Sequence, residues 1–304
     1  MRLACIDIGS NTTRLLVADC EGELLRVVAE QRAFTHIARD LVDGAIADEK
    51  LGEVSREVAG QLGTAHELGT ETVYAVATAA IRRAANGLAL VDVIRKSCGL
   101  SVKVLSGEEE AHLAFLGAAR TLGHVPAGPL GVVDVGGGSC ELVVGTAPDH
   151  VTWSASLGVG SGELAATCLH SDPPSAEELS EARGRVARAV GGLEVPHAAE
   201  AVAVGGTATS LRRFAGAKLD AEALGRSLAL LAAASASDLA RRFSLDVQRV
   251  RLLPAGLLIL QAASELFGAA LEIARGGVRE GVLLEASLAD SENPPRSGNL
   301  KGRG

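Results

Sequence analysis

The chain has 304 residues, 47% of them hydrophobic and 22% charged, the balance of a globular protein with room for two domains of ordinary size. Aromatics make up only 2% and the formal charge is −8, so neither a base-stacking platform nor a global field for a long polyanion is available, and no nucleic-acid partner is expected. Five scattered cysteines without a CxxC pair, no signal-peptide pattern and no uncharged run of about 18 apolar residues predict a reduced, cytoplasmic protein with no membrane span.

Residues 2–8 predict a strand, followed by the turn DIGSN and a second strand over 12–19. A third strand over 24–32 and a helix over 48–68 come next. The strand at 72–76 feeds ATAAIRRAANG, read as a helix opening at Thr78 and closing near Asn86-Gly87. Its first turn offers free N–H groups to an anion, with Arg82 one turn further in. The solvated face of a helix, the more common fate of such a pair, is the plainer reading of Arg82 and Arg83. A helix over 88–98 and a strand over 101–105 precede SGEEEAHLAFLGAAR at 106–120. There Ser106 and Glu109 have the spacing of a capping box, and Glu108 suits the positive end of the helix dipole. Glu110 is left over, but spacing alone does not choose between Glu108 and Glu110 for chemistry.

The linker GHVPAGP at 123–129 reads as a domain hinge and leads into GVVDVGGGSCELVVG at 131–145. Strands at 131–135 and 141–144 flank three glycines, whose backbone can turn tightly and bring N–H groups against a ligand with no Cβ in the way. Asp134 enters the turn and Glu141 leaves it. Carboxylates repel phosphate unless a cation lies between them, so the arrangement points to a metal-bridged phosphate site. A glycine-rich hairpin with solvated acids at its ends is the plainer alternative. The pattern also occurs twice. DIGSNTTRLLV, starting at Asp7, aligns without a gap on DVGGGSCELVV, starting at Asp134, at an offset of 127 residues. We therefore expect two copies of one fold with their hairpin turns facing a common cleft. In the column where the copies differ, Arg14 stands against Glu141: a phosphate clamp in one half, a carboxylate in the other.

Beyond the second hairpin, residues 151–157 predict a strand ending in GVGSGEL, and Asp172-Pro173-Pro174 starts a helix with a capping box at Ser175 and Glu178. The strand at 201–204 runs into Gly205-Gly206-Thr207, a second strand–glycine–helix phosphate loop without the lysine of a P-loop. Close packing of a helix on a strand explains the same glycines. Two or three Ala/Leu-rich helices follow, the last from Pro254 to about Phe267. A strand over 271–274 and a closing helix to Asp290 complete the chain, with a Pro-, Gly- and Ser-rich tail expected to be disordered.

Together DIGSNTTRLLV, ATAAIRRAANG, LSGEEEAHLAFLGA, VVDVGGGSCELV, GGTATSL and GGVREG resemble the exopolyphosphatase / guanosine pentaphosphate phosphatase family, in this order and spacing, from about residue 2 to 290. That family belongs to the superfamily of sugar kinases, heat-shock 70 ATPases and actin. The resemblance implies an α/β fold of two ribonuclease-H-like (actin-like ATPase) domains facing a central cleft, at 1–122 and 123–289. The closing helix at about 279–290 can pack back on the first, and 290–304 is the tail. It implies magnesium-dependent release of terminal phosphate by water, with Glu110 and Glu141 as catalytic acids and Asp134, Glu141 and Asp7 as metal-associated carboxylates. Phosphate-binding positions carried over are Ser10, Asn11, Thr12, Arg14, Arg82, Gly136, Gly137, Gly138, Ser139, Gly205, Gly206 and Thr207. A homodimer is implied on the same ground. Cys140 departs from the threonine usual after GGGS, and the chain stops before the helical domains with which longer members grip long chains. With the charge of −8, this favours short polyphosphate. Guanosine pentaphosphate or another nucleotide is the alternative substrate, and a weakly catalytic alarmone-binding sensor, a superfamily kinase and an actin-like assembly protein are the rival functions.

Overall fold

A computed structural model of the chain describes residues 1–292, so the expected tail lies outside the described residues except for its first positions, which continue the last helix. The first half contains β1 (Arg2–Ile8), β2 (Thr12–Glu21), β3 (Leu24–Phe34), and a short ribbon of β4 (Leu41–Val42) and β5 (Ala45–Ile46). It continues with α1 (Asp48–Glu67), β6 (Thr72–Ala77), α2 (Ala79–Arg83), α3 (Gly87–Cys98), β7 (Val102–Val104) and α4 (Gly107–Arg120). The second half begins with β8 (Leu130–Val135), β9 (Cys140–Thr146), β10 (His150–Leu157), α5 (Ser161–Cys168), α6 (Ala176–Val190), β11 (Glu200–Val204) and α7 (Gly205–Ala215). It ends with β12 (Lys218–Leu219), α8 (Ala221–Ala233), α9 (Ala236–Phe243), α10 (Val247–Phe267), β13 (Leu271–Ile273) and α11 (Val278–Glu292).

Two sheets carry the fold, ordered β3-β2-β1-β6-β7 and β10-β9-β8-β11-β13-β12. Apart from the added edge strand β12, these are one topology used twice. In each, an antiparallel three-strand meander is extended by two parallel strands that reach their places through helices. The registers match as well: Asp7 pairs with Arg14, and Asp134 with Glu141. The same backbone bond closes both turns, Gly9 N–H to the Thr12 carbonyl and Gly136 N–H to the Ser139 carbonyl, each 3.0 Å. The duplication read from the sequence is thus reproduced down to single hydrogen bonds.

Helices α4 and α11 lie between the two sheets. Ala111, Phe115 and Ala118 of α4 pack on Leu130, Val132 and Val143 of the second sheet. Val278, Val282 and Leu283 of α11 pack on Leu3, Cys5 and Leu16 of the first. The two helices cross so closely that a Cβ at Gly117 would overlap the Gly277 carbonyl, and one at Gly281 the Leu113 carbonyl. Backbone cannot rotate away as a side chain can. Gly281→Ala is therefore expected to cost about 1–3 kcal/mol, read as a lower urea midpoint with an unchanged m-value.

Three elements differ from expectation. The ATAAIRRAANG helix ends at Arg83, where Ala84 turns extended, and α3 restarts at Gly87, whose Cβ would strike the Ile81 carbonyl. Helix α10 starts at Val247, not Pro254, because Asp246 caps it through the N–H groups of Gln248 and Arg249. Pro254 sits inside it, at the loss of one backbone bond. At 21 residues α10 has the length and apolarity of a membrane span, but Leu253, Leu257, Leu260 and Phe267 are buried within the second core. Helix α5 falls where GVGSGEL reads as a strand end; Gly160 and Gly162 conceal it, and both are small because they touch the site. All five cysteines are free.

Candidate active site

The two hairpin tips and the N-terminus of α7 enclose a cavity of about 110 Å³ between the sheets. Each tip is braced from behind by the segment that follows the third strand of its meander. In the first, the N–H groups of Thr35 and His36 bond the Asn11 carbonyl, and that of Ala38 bonds the Ser10 carbonyl. In the second, the first turn of α5 does the same work: Ser161 N–H bonds the Gly136 carbonyl, while those of Gly162 and Glu163 bond the Gly137 carbonyl. A trans peptide holds its N–H opposite its C=O. Tying these carbonyls to α5 therefore turns the N–H groups of Gly137 and Gly138 away from it, leaving them free for an anion. The tips also touch each other. Asn11 packs against Gly137 and Gly162, Ser10 lies over Gly138, and the Arg83 guanidinium donates to the Gly138 carbonyl. Arg83, though exposed, thus fastens one half to the other through its guanidinium.

Of the expected site residues, Ser10, Asn11, Thr12, Arg14, Gly136, Gly137, Gly138, Ser139, Gly205 and Gly206 line the cavity, together with Asp7, Asp134 and Glu110. Three do not. Thr207 is fully buried against Gly256 of α10, and its hydroxyl has no partner. Arg82 is turned to Glu110, and Glu141 lies behind the turn, 1% exposed, accepting a 2.9 Å hydrogen bond from Ser156. Burial also separates the acids that spacing left open. Glu109 completes its capping box and pairs with Lys103, Glu108 is exposed, and Glu110 is buried at the cavity wall.

The cavity also gathers residues that the sequence did not single out, among them Arg249, Arg275, Arg279 and Glu280. Gly206 makes room for two of the arginines, since a Cβ there would meet the guanidinium groups of Arg14 and Arg249. Both therefore lie beside the first turn of α7, which has no side-chain cap and whose dipole favours an anion. Arg249 is 5% exposed and its Nε has no hydrogen-bond partner. Burial first, and then Arg14 and Arg32, push its pKa down to about 9. Burial and Arg279 push Arg14 down as well. Crowded guanidinium groups with an unpaired donor make a pocket short of negative charge. Arg279 is anchored by Glu30 at 2.9 Å and the Leu15 carbonyl, and Glu280 accepts from Gly277 N–H. These belong to the GGVREG run, whose residues had no assigned role; nothing in the sequence around Arg249 marks it.

The carboxylates carry the opposite frustration. Burial pushes Asp134 up to about 6, with Arg14 pulling it back and Asp7 adding to the rise. Burial also raises Asp7, against the pull of Arg14 and Arg279, and Asp7 Oδ1 is buried without a hydrogen-bond partner. Two half-buried acids, one with an orphaned buried oxygen, form an oxygen donor set that a hard cation fits. Among the described residues no three His, Cys, Asp or Glu side chains group to hold a metal by themselves. Magnesium needs only one or two carboxylates, completing its shell with water and phosphate oxygens. Glu110 stands at about 7, raised by burial and held back by Arg82; Glu141 is raised by burial and then by Glu110 and Asp134.

The model of the Ppx/GppA phosphatase family matches residues 16–290. An uncharacterized protein of Streptomyces coelicolor is 32% identical over 305 residues, spanning 93% of this chain and 90% of that one. Exopolyphosphatase 1 of Mycobacterium tuberculosis is 30% identical over 310 residues, spanning 93% of this chain and 88% of its own. Among solved structures, the Aquifex aeolicus member of the Ppx/GppA family has a TM-score of 0.80 at 28% identity, covering 96% of this chain and 99% of that one. An exopolyphosphatase from Cytophaga hutchinsonii has a TM-score of 0.84 at 20% identity, covering 94% and 98%, a likeness of fold.

Proposed function

The chain belongs to the Ppx/GppA phosphatase family, and from that premise we propose that it releases terminal orthophosphate from short inorganic polyphosphate, using magnesium. The observation that carries the proposal is Glu110: a buried carboxylate poised near neutral pH, on the wall of a cavity otherwise built to receive an anion. Asp7 and Asp134 would hold the ion, which when bound supplies charge neutralisation to the phosphate oxygens. The free N–H groups of the two hairpins and of α7, with Arg14 and Arg249, take the terminal phosphoryl oxygens. Glu110 accepts a proton from water as the water oxygen bonds to phosphorus and the bridging P–O bond breaks. Orthophosphate leaves, and the shortened chain carries the negative charge of the broken bridge. Phosphoryl transfer of this kind asks for positioning and electrostatics more than covalent chemistry. The net charge of −8 confines the positive field to this cleft, which favours short chains over long ones.

Phosphate release is measured with magnesium and, separately, tripolyphosphate, long-chain polyphosphate, ATP, ADP and guanosine pentaphosphate. Fastest turnover of the short chain is expected. Turnover confined to a nucleotide would replace the substrate, and tight nucleotide binding with no release from any compound would make the protein a sensor. Arg249→Gln should raise KM by roughly tenfold or more, the worth of a charged hydrogen bond. The same change should not lower the melting temperature, because it removes a buried charge with an unpaired donor.

A further inference from the structure

Arg82 was expected to grip phosphate, but its guanidinium is engaged elsewhere. Nη1 donates to the Leu105 carbonyl at 2.7 Å and to Oε2 of Glu110 at 3.0 Å. These acceptors lie on either side of Ser106, the residue that caps α4. One guanidinium therefore joins the end of the β7 segment to the first turn of the helix that carries Glu110. The Glu110 carboxylate has no second protein partner among the described residues, and Arg82 is not among the residues lining the cavity. Arg83, the next residue, bonds the Gly138 carbonyl, so α2 is pinned at both of its last positions.

We infer that Arg82 is a positioning residue for Glu110 and not a phosphate ligand. It engages Oε2 and so fixes the rotamer in which Oε1 is left for the attacking water. Placement of a proton acceptor within hydrogen-bond reach of water is a matter of tenths of an ångström, and a buried Glu side chain with three free torsions has no other tether here. The inference rests on the reading of Glu110 as the base.

The test compares Arg82→Ala and Arg82→Lys on the fastest substrate of the wild-type protein. Arg82→Ala should lower kcat by about 100-fold and leave KM within about threefold, the mark of a misplaced group and not of a lost ligand. Millimolar guanidinium chloride should restore kcat of Arg82→Ala by roughly tenfold, but should not restore Glu110→Gln, which lacks the acceptor. A purely structural arginine would show no such rescue. Arg82→Lys, which keeps a single charged donor, should fall between the two and guards against misfolding of the alanine variant. A KM raised about tenfold with kcat held, or a folded alanine variant without rescue, overturns the inference. Thermal melting of Arg82→Ala, Glu110→Ala and the double variant, in which each single change removes the hydrogen bond, reads the pair without turnover. No coupling in that cycle overturns the pairing itself. A wild-type protein inert toward every phosphoanhydride, with coupling retained, would instead remove Glu110 as base.

Discussion

Replacing Glu110 with glutamine should reduce kcat by about 10²- to 10⁴-fold, the usual worth of a positioned general base, while KM changes little. Glutamine keeps the length and packing of the side chain and can still accept from Arg82 through its amide oxygen, so the fold should persist. What is lost is the capacity to take a proton. The pH profile follows from the same group. Burial holds Glu110 near 7 in spite of Arg82, and a base works only when deprotonated. Activity should therefore fall about tenfold per pH unit below about 7 and level off above it. Asp134 and Asp7 contribute to the rise after burial. A cation bound between them would lessen that part, so higher magnesium should move the acid limb downward. An acid limb unaffected by Glu110→Gln in the residual activity would assign the titration to another group.

The parts of this molecule legible in the sequence are those in which a local pattern has one physical meaning. Asp7 and Asp134 each precede a glycine and a small polar turn, and a gapless repeat of that pattern leaves little but two equivalent hairpins. The capping boxes at Ser106 and Ser175 were readable for the same reason, and both form. The other parts depend on partners far away in the chain. Arg249 has no local mark; it matters because α10 ends its first turn beside Gly206, more than 40 positions earlier. Arg82 in isolation fits a surface helix or an anion site, and only the return of Glu110 to its side decides otherwise. Helix α5 was hidden by two glycines that weaken helix propensity, and those glycines are there because Asn11 and Gly137 come against them.

Asp134→Asn should abolish magnesium-dependent turnover and yet stabilise the metal-free protein at neutral pH. The sign follows from linkage. Asp134 is half-buried at the cavity wall and its folded pKa is raised from 3.8 to about 6, so the folded state holds the proton more tightly than the unfolded chain does. The stability this group contributes is fully present below pH 3.8 and is lost as pH rises through about 6. A rise of that size corresponds to about 3 kcal/mol, so the ionised acid is a burden of that order on the empty site at pH 7 and above. Asparagine is neutral, fills nearly the same volume and removes the burden. In the metal-free state the melting temperature of the variant should exceed that of the wild type at pH 7.5, and the two should converge near pH 4. Magnesium should raise the melting temperature of the wild type at pH 7.5 and act much less on Asp134→Asn. Below pH 6 the ion should lose its effect on the wild type as well, because it must then compete with the proton for the same oxygen. A variant less stable than the wild type at pH 7.5 without metal would mean that the close fit of the Asp134 carboxylate beside Gly205 outweighs its charge. A wild type indifferent to magnesium would remove Asp7 and Asp134 as the cation's ligands. The opposed outcome, activity lost as stability is gained, identifies an acid retained for chemistry against the preference of the fold.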